Sequence, residues 1–261
     1  MTRLYPPAVD TAQMEQEYAA LYEGVALVDN RAAGRLYLHD RDRTRLLHRL
    51  STNDIEGLQP GQGTRTVLTN HNGRIIDLLT VHLLPVTTSN EPPVLLVTSA
   101  EQRQSVRKLL HRNIFFGDRL QIEDISESLA QLMLYGPHSC ALVQQLLGVP
   151  AAALPRYDIM AGHLAGIDLF VSPVAPIGGC GFALYIPVTG DTGPSTVERI
   201  WQALLAAGAQ PVGPNTLMTA WVEAGYATYG RELSLEYIPL ETGLMDAMSF
   251  TKGCYDWSGD Y

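Results

Sequence analysis

Hydrophobic and polar positions recur along this chain with two different periods, and the changes of period predict its elements. Residues 11–23 carry Met14, Tyr18, Leu21 and Tyr22 at helical spacing, forming one apolar stripe. Residues 34–40 alternate as a strand does, and Asp40 is the predicted N-cap of a helix running through Leu50. Pro60-Gly61-Gln62-Gly63 reads as a turn. Strands at 64–69 and 74–84 follow, joined by Asn70-His71-Asn72-Gly73, where Asn-Gly supplies the positive φ angles of a tight hairpin. A polar loop at 87–93 leads to a strand at 94–98, a helix at 100–112 and a strand at 120–124. An apolar run at 129–134 precedes Gly136-Pro137 and a helix through Leu147. Strands at 158–161, 164–172 and 182–188 come next, with 176–181 as the loop before the last. Helices at 196–207, 215–224 and 239–250 complete the pattern. Helices and hairpins mix without βαβα alternation, which predicts an α+β protein with mainly antiparallel sheets and flanking helices. No repeat or linker divides the chain, so any two portions must interleave.

Composition adds limits. The chain has 261 residues, 46% hydrophobic and 17% charged, which fits a soluble globular protein with one large core or two smaller ones. It contains no apolar run of bilayer length, and its opening residues carry no signal-peptide core, so the sequence predicts a cytoplasmic protein without a membrane anchor. A net charge of −9 weighs against a nucleic-acid surface. The basic stretch at 41–49 departs from that average and reads as a solvated helix face rather than an anion-binding surface. Cys140, Cys180 and Cys254 are odd in number and widely spaced, which predicts no disulfide framework and, without CxxC spacing, no metal or cluster site. Cys140 and Cys180 are expected to be packed or loop cysteines.

Nucleophile elbows, phosphate loops and zinc signatures are absent from the sequence. Gly178-Gly179-Cys180-Gly181 runs into a strand rather than a helix, so it reads as a structural turn. Asp77 lies within a strongly apolar strand, where a carboxylate must be hydrogen-bonded, exposed on one face, or functional. Glu223 and Glu241 also stand in apolar company and are expected to serve as helix caps or ion-pair partners. Cys254, in Lys252-Gly253-Cys254-Tyr255, is the reactive candidate, because a nearby cation favours the thiolate.

Several segments in order resemble the glycine-cleavage T-protein and its YgfZ relatives: 15–29, Ser51-Thr52-Asn53-Asp54 with Leu58 to Gly63, 70–79, Tyr135-Gly136-Pro137, Val222-Glu223-Ala224-Gly225, Tyr229-Gly230, 239–244 and 250–255. The resemblance implies a tetrahydrofolate-binding fold, two interleaved α+β portions around a central opening, over residues 1–255. In the family a small C-terminal β-barrel follows, and this sequence does not show it. The matching positions imply folate contacts at Asn53, Asn70, Asp77, Glu223, Tyr229 and Lys252, with Asp77 and Cys254 as the residues of chemistry. T-proteins transfer a one-carbon unit from an aminomethyl-lipoyl carrier to tetrahydrofolate. The YgfZ branch is linked to folate-dependent support of iron–sulfur enzymes, and its motif cysteine falls at Cys254.

Departures favour the second branch. Ala183 stands where T-proteins hold the pterin with a glutamate, Pro176 replaces a tyrosine, and the stretch near Asn215-Thr216-Leu217-Met218 lacks the T-protein's charged pair. Losing a carboxylate that accepts two hydrogen bonds costs a few kcal/mol, on the order of 1–3 for each buried group left unpaired. The expected function is therefore folate binding in support of iron–sulfur proteins. The alternatives are aminomethyl transfer through Asp77 and a scaffold that no longer binds ligand. With A at the two free positions, the codons allowed by 256–260, shifted by one base, read Gly-Gln-Glu, the continuation of the YgfZ motif. Residues 256–261 are thus expected to be an out-of-frame or truncated tail, with Trp257 exposed.

Overall fold

A computed structural model describes residues 11–86, 91–190 and 195–253. Helix α1 (Thr11–Glu23) leads into strand β1 (Ala26–Asp29), the first strand of sheet A. The chain then leaves for sheet B and builds all of it: β2 (Gly34–His39), α2 (Arg43–Leu50), β3 (Gly63–Thr69), β4 (Ile75–Leu83), β5 (Val94–Thr98), α3 (Arg103–Arg112) and β6 (Gln121–Asp124). It returns to sheet A with β7 (Leu129–Gly136), α4 (Ser139–Leu147), β8 (Met160–Leu164), β9 (Ile167–Pro173), β10 (Cys180–Pro187), α5 (Thr196–Ala206), β11 (Gln210–Pro211) and α6 (Pro214–Glu223). Sheet A runs β11-β1-β7-β10-β9-β8 and sheet B runs β3-β4-β5-β2-β6. Every pairing is antiparallel except β1 with β11. The architecture is the interleaved α+β arrangement that the pattern predicts.

The strands of sheet A show why the two sheets stack. All eight residues of β7 are buried, because both of its faces are covered. Ala130, Leu132 and Leu134 join Phe182, Leu184 and Ile186 of β10 under α4 and α5. Met133 and Tyr135 join Ala183 and Tyr185 on the opposite face, in a cluster shared with Leu95 and Val97 of sheet B. Sheet B buries its other face, including Leu36, Leu38, Leu79 and Leu96, under Leu46 and Leu47 of α2 and Val106 and Leu110 of α3. The order is helices, sheet, sheet, helices, with an apolar layer between each pair. Fully burying one such leucine contributes roughly 1.5–3 kcal/mol.

Four sequence expectations change. The strand β1 is not signalled, since four residues between two turns carry too little pattern. Asp40 takes a left-handed φ of 72°, and the N-cap position passes to Asp42. Residues 239–250 form two 3₁₀ turns, Pro239–Glu241 and Met245–Ala247, rather than a helix. Gly243, at φ 71°, breaks the run between them. Finally, Cys140 and Cys180 form a disulfide with a Cα–Cα distance of 5.8 Å. It ties the first turn of α4 to the start of β10; the two cysteines are 40 residues apart, so their spacing alone gave no sign of it. Among the described residues, no helix is long and apolar enough to cross a membrane.

Candidate functional site

Asp77 points into sheet B's own core and is completely buried. The Ser99 N–H donates to its Oδ2 at 2.9 Å, the Ser99 hydroxyl donates to Oδ1, and the Leu78 N–H reaches Oδ1 at 2.9 Å. Burial pushes its pKa up to about 6, against the pull of these three donors, and the negative charge of Glu101 adds to the rise. Both carboxylate oxygens are thus occupied by the protein itself.

Asn53 and Lys252 meet at the link between α2 and β3. The Asn53 amide donates to Thr64 Oγ1 (3.0 Å), to the Arg65 carbonyl (2.8 Å) and to the Asp246 carbonyl (3.3 Å). Lys252 Nζ donates to the carbonyls of His48 and Ser51. Burial lowers its pKa to about 8, opposed by Asp54 and Glu56. Thr52, between these residues, donates to the Ala247 carbonyl (2.7 Å) and accepts from the Val67 N–H (3.0 Å). The two 3₁₀ turns are therefore strapped across the end of β3. A backbone bridge from Ser51 to Leu68, which pairs with Asp77, connects this strap to β4.

The remaining candidates are structural in their contacts. Asn70 Oδ1 accepts from the N–H groups of Asn72 (2.9 Å) and Arg74 (3.0 Å), closing the hairpin. Tyr229 packs against the cluster of Val67, Ile75 and Leu233. Glu223 lies apart, at the end of α6, and accepts from the hydroxyls of Tyr18 (2.8 Å) and Tyr22 (2.9 Å) of α1. That fastening replaces the cap or ion pair expected of Glu223. Glu241 accepts from the Ile238 N–H (2.9 Å) and lies 3.9 Å from Arg74, in keeping with expectation. Cys254 and the 256–261 tail with Trp257 lie outside the described residues.

A second set of residues, which sequence reasoning missed, gathers where the two sheets face each other. His82 is buried, with Nδ1 at 2.8 Å from the Tyr157 carbonyl and Nε2 at 2.9 Å from the Tyr185 hydroxyl. Burial lowers its pKa to about 4, so the imidazole is neutral. A carbonyl only accepts, hence Nδ1 carries the proton and the Tyr185 hydroxyl donates to Nε2. Tyr157 has a left-handed φ of 71°, which belongs to the small set of strained backbone positions. The Arg65 guanidinium lies 5.6 Å from the Tyr157 ring centre and pairs with Asp246 at 2.7 Å. Trp221 packs in the same cluster as Tyr135, and Tyr226 donates to the Pro176 carbonyl at 2.6 Å. The charges of Arg65, Arg156 and Asp246 all act on the hydroxyls of Tyr157 and Tyr226.

Two polar atoms of this assembly, Arg65 Nε and the Tyr157 hydroxyl, are buried without a hydrogen-bond partner. Unpaired buried donors are rare in native proteins and call for an explanation, a bound polar ligand being one. Ala183, fully buried opposite Met133 and Ser172, contributes only a methyl group to the same face. Tyr226 also lines an open cleft of about 360 Å³ with Val222, Ala227, Glu232, Tyr237 and Thr242. The larger open cleft, about 630 Å³, is lined by Asp29, Arg31, Ser126, Glu127, Val188 and Ser195 and touches none of these residues. Chemically, the assembly offers flat aromatic faces, two guanidinium groups and unpaired donors, a set suited to an anionic heteroaromatic molecule.

The sequence profile described as the GCVT N-terminal domain matches residues 1–252. The chain belongs to that family. Among similar GCVT-type proteins, a chloroplastic protein of Arabidopsis thaliana, described as a candidate transferase, is 30% identical over 241 residues, covering 90% of this chain and 52% of its own length. An aminomethyltransferase of Synechococcus elongatus is 31% identical over 229 residues, covering 88% of this chain and 59% of the enzyme. The chain thus spans between half and three fifths of the length of these relatives. The crystal structure of glycine cleavage system aminomethyltransferase T from Bartonella henselae superimposes with a TM-score of 0.69 at 19% identity, over 87% of this chain and 58% of that one. The shared fold is that of the GCVT N-terminal domain.

Proposed function

We propose that this GCVT-family chain binds a tetrahydrofolate and acts as a YgfZ-type accessory protein for iron–sulfur enzymes rather than as an aminomethyltransferase. The observation that carries the ligand is the pair of unpartnered donors, Arg65 Nε and the Tyr157 hydroxyl, set among Tyr135, Tyr185 and Trp221. These residues fit a folate: the aromatic rings offer faces to a pterin, the two unpaired donors offer hydrogen bonds, and Arg65 and Arg156 offer charge to the glutamate carboxylates. When bound, tetrahydrofolate supplies nitrogen atoms able to carry a one-carbon unit. The neutral His82 holds Tyr157 and Tyr185 in register and excludes water from behind them. The accessory reading is supported by Ala183, which offers no carboxylate, by the enclosure of Asp77, and by the Lys252-Gly253-Cys254 motif. Calorimetric titration with tetrahydrofolate tests the ligand. Saturable binding, weakened about tenfold or more in Arg65→Ala, is expected; no heat at any concentration would sink it. Loss of iron–sulfur enzyme activity in cells carrying Cys254→Ala is the expected mark of the accessory role.

Aminomethyl transfer is the second reading, favoured by the presence of Asp77 at the catalytic aspartate's position and by relatives named for that activity. For that chemistry Asp77 would have to exchange its Ser99 donors for a substrate amine. Methylene-tetrahydrofolate formation from an aminomethyl-lipoyl carrier, lost in Asp77→Asn, decides for it.

A further inference from the structure

Half of the chain's cations lie on one face. Segments 41–49 and 103–119 hold nine of the eighteen Lys and Arg residues and only two of the twenty-seven Asp and Glu, a local charge of +7 in a chain of −9. Helices α2 and α3 cover the same side of sheet B, burying their leucines in one cluster and leaving Arg45, Lys108 and Arg112 exposed. The two segments also join at their ends. Arg49 of α2 donates to the Asn113 carbonyl at 2.8 Å, pairs with Asp118 at 3.5 Å, and places its guanidinium 4.3 Å over the Phe115 ring. The two carboxylates within these segments are already used, Asp118 by Arg49 and Asp42 by Arg41 and the Arg119 N–H, and Arg103 is paired with Asp124 and Glu127 beyond them. Arg45, Lys108, Arg112 and Arg119 are exposed, and among the described residues their side chains form no ion pair.

Phe115-Phe116-Gly117 rises from this face as a turn, with Gly117 at φ 101°. Phe115 is more than half exposed and Phe116 is exposed to its full extent. A phenyl ring standing wholly in water is unfavourable, and its near neighbours in sequence, Arg112 and Arg119, are exposed cations without an ion pair among the described residues. A partner protein would have to present a socket, and single-stranded nucleic acid binds along a groove of stacked aromatics, whereas this tip protrudes. A bilayer interface closes around any projecting apolar group and presents phosphates to the cations beside it. The acids elsewhere on the chain are screened over a Debye length of about 10 Å at 0.1 M salt. We infer that the Phe115–Phe116 turn and the cations around it form a docking face for an anionic lipid surface. Such docking rests on one turn and two helix faces and needs no spanning helix.

Flotation of the full chain with vesicles of phosphatidylcholine, with and without phosphatidylglycerol, tests the inference. Binding to the anionic vesicles alone, released by high salt, is expected. Phe116→Ser should weaken it about tenfold, since it removes the inserted ring, and Lys108→Glu with Arg112→Glu should abolish it. Arg231→Glu, on the exposed segment after α6, should leave it unchanged. Circular dichroism and melting curves confirm that each variant is folded. Equal binding to neutral vesicles, no binding, or an unaffected Phe116→Ser would each overturn the proposal. So would a single-stranded or duplex DNA oligonucleotide that binds more tightly than the anionic vesicles.

Discussion

At the scale of single residues, Tyr157 joins three roles. Its left-handed backbone aims the carbonyl at His82, its ring lies beneath Arg65, and its hydroxyl is left unpaired. An unpaired buried hydroxyl costs roughly 1–3 kcal/mol. Tyr157→Phe should therefore raise the stability of the ligand-free protein by about 1 kcal/mol, measured by urea unfolding. The same variant should weaken tetrahydrofolate, so stability and binding are expected to move in opposite directions. Asp77 gives a pH signature. Its folded pKa, near 6, lies above the unfolded value, so the folded state holds the extra proton between about pH 4 and 6 and its contribution to stability falls as pH rises through that window. Carbon-13 NMR of the Asp77 carboxyl should titrate near 6, and Ser99→Ala, which removes one donor, should move the midpoint higher. That a buried Asp77 would need hydrogen-bond donors was legible from a charge in an apolar strand. The identity of its partner was not, because Ser99 lies just past the end of β5, 22 residues away. Arg65, His82 and Tyr157 gave no local signal at all, since their meaning arises only when the two sheets come together.

At the scale of elements, the most consequential one is irregular. The periodicity at 239–250 predicts a helix, yet Gly243, at positive φ, divides it into two 3₁₀ turns held by tertiary bonds. Leu244 and Ala247 bury against Val67 and Ile75, so the apolar spacing that looked helical serves a different contact. Thr52 holds the strap at one point. Thr52→Val keeps the volume but orphans the Ala247 carbonyl and the Val67 N–H, and should cost about 2–3 kcal/mol by urea unfolding. Hydrogen exchange should show the loss concentrated in the strap and β3. The hairpin of β3 and β4, in contrast, was readable at once, because Asn70 and Gly73 carry their turn chemistry locally.

At the scale of the whole molecule, the antiparallel α+β class was legible from the order of periods, while the strand order was not, because pairing partners are remote in sequence. The Cys140–Cys180 bond shows the same limit. Denatured, unreduced protein should react with one equivalent of thiol reagent rather than three. Cys140→Ser should lower stability by about 2–4 kcal/mol, the range for closing a loop of this length. The excursion of the chain between the sheets has a consequence for its synthesis. All five strands of sheet B come from one continuous stretch ending at Asp124, so they can pair while the ribosome is still making the rest. β1 cannot. Its two neighbours, β7 and β11, are translated roughly a hundred and then nearly two hundred residues later, so β1 leaves the ribosome with both edges open. During that interval the nascent chain is a finished sheet trailing an unmatched strand, the state in which a chaperone would meet it.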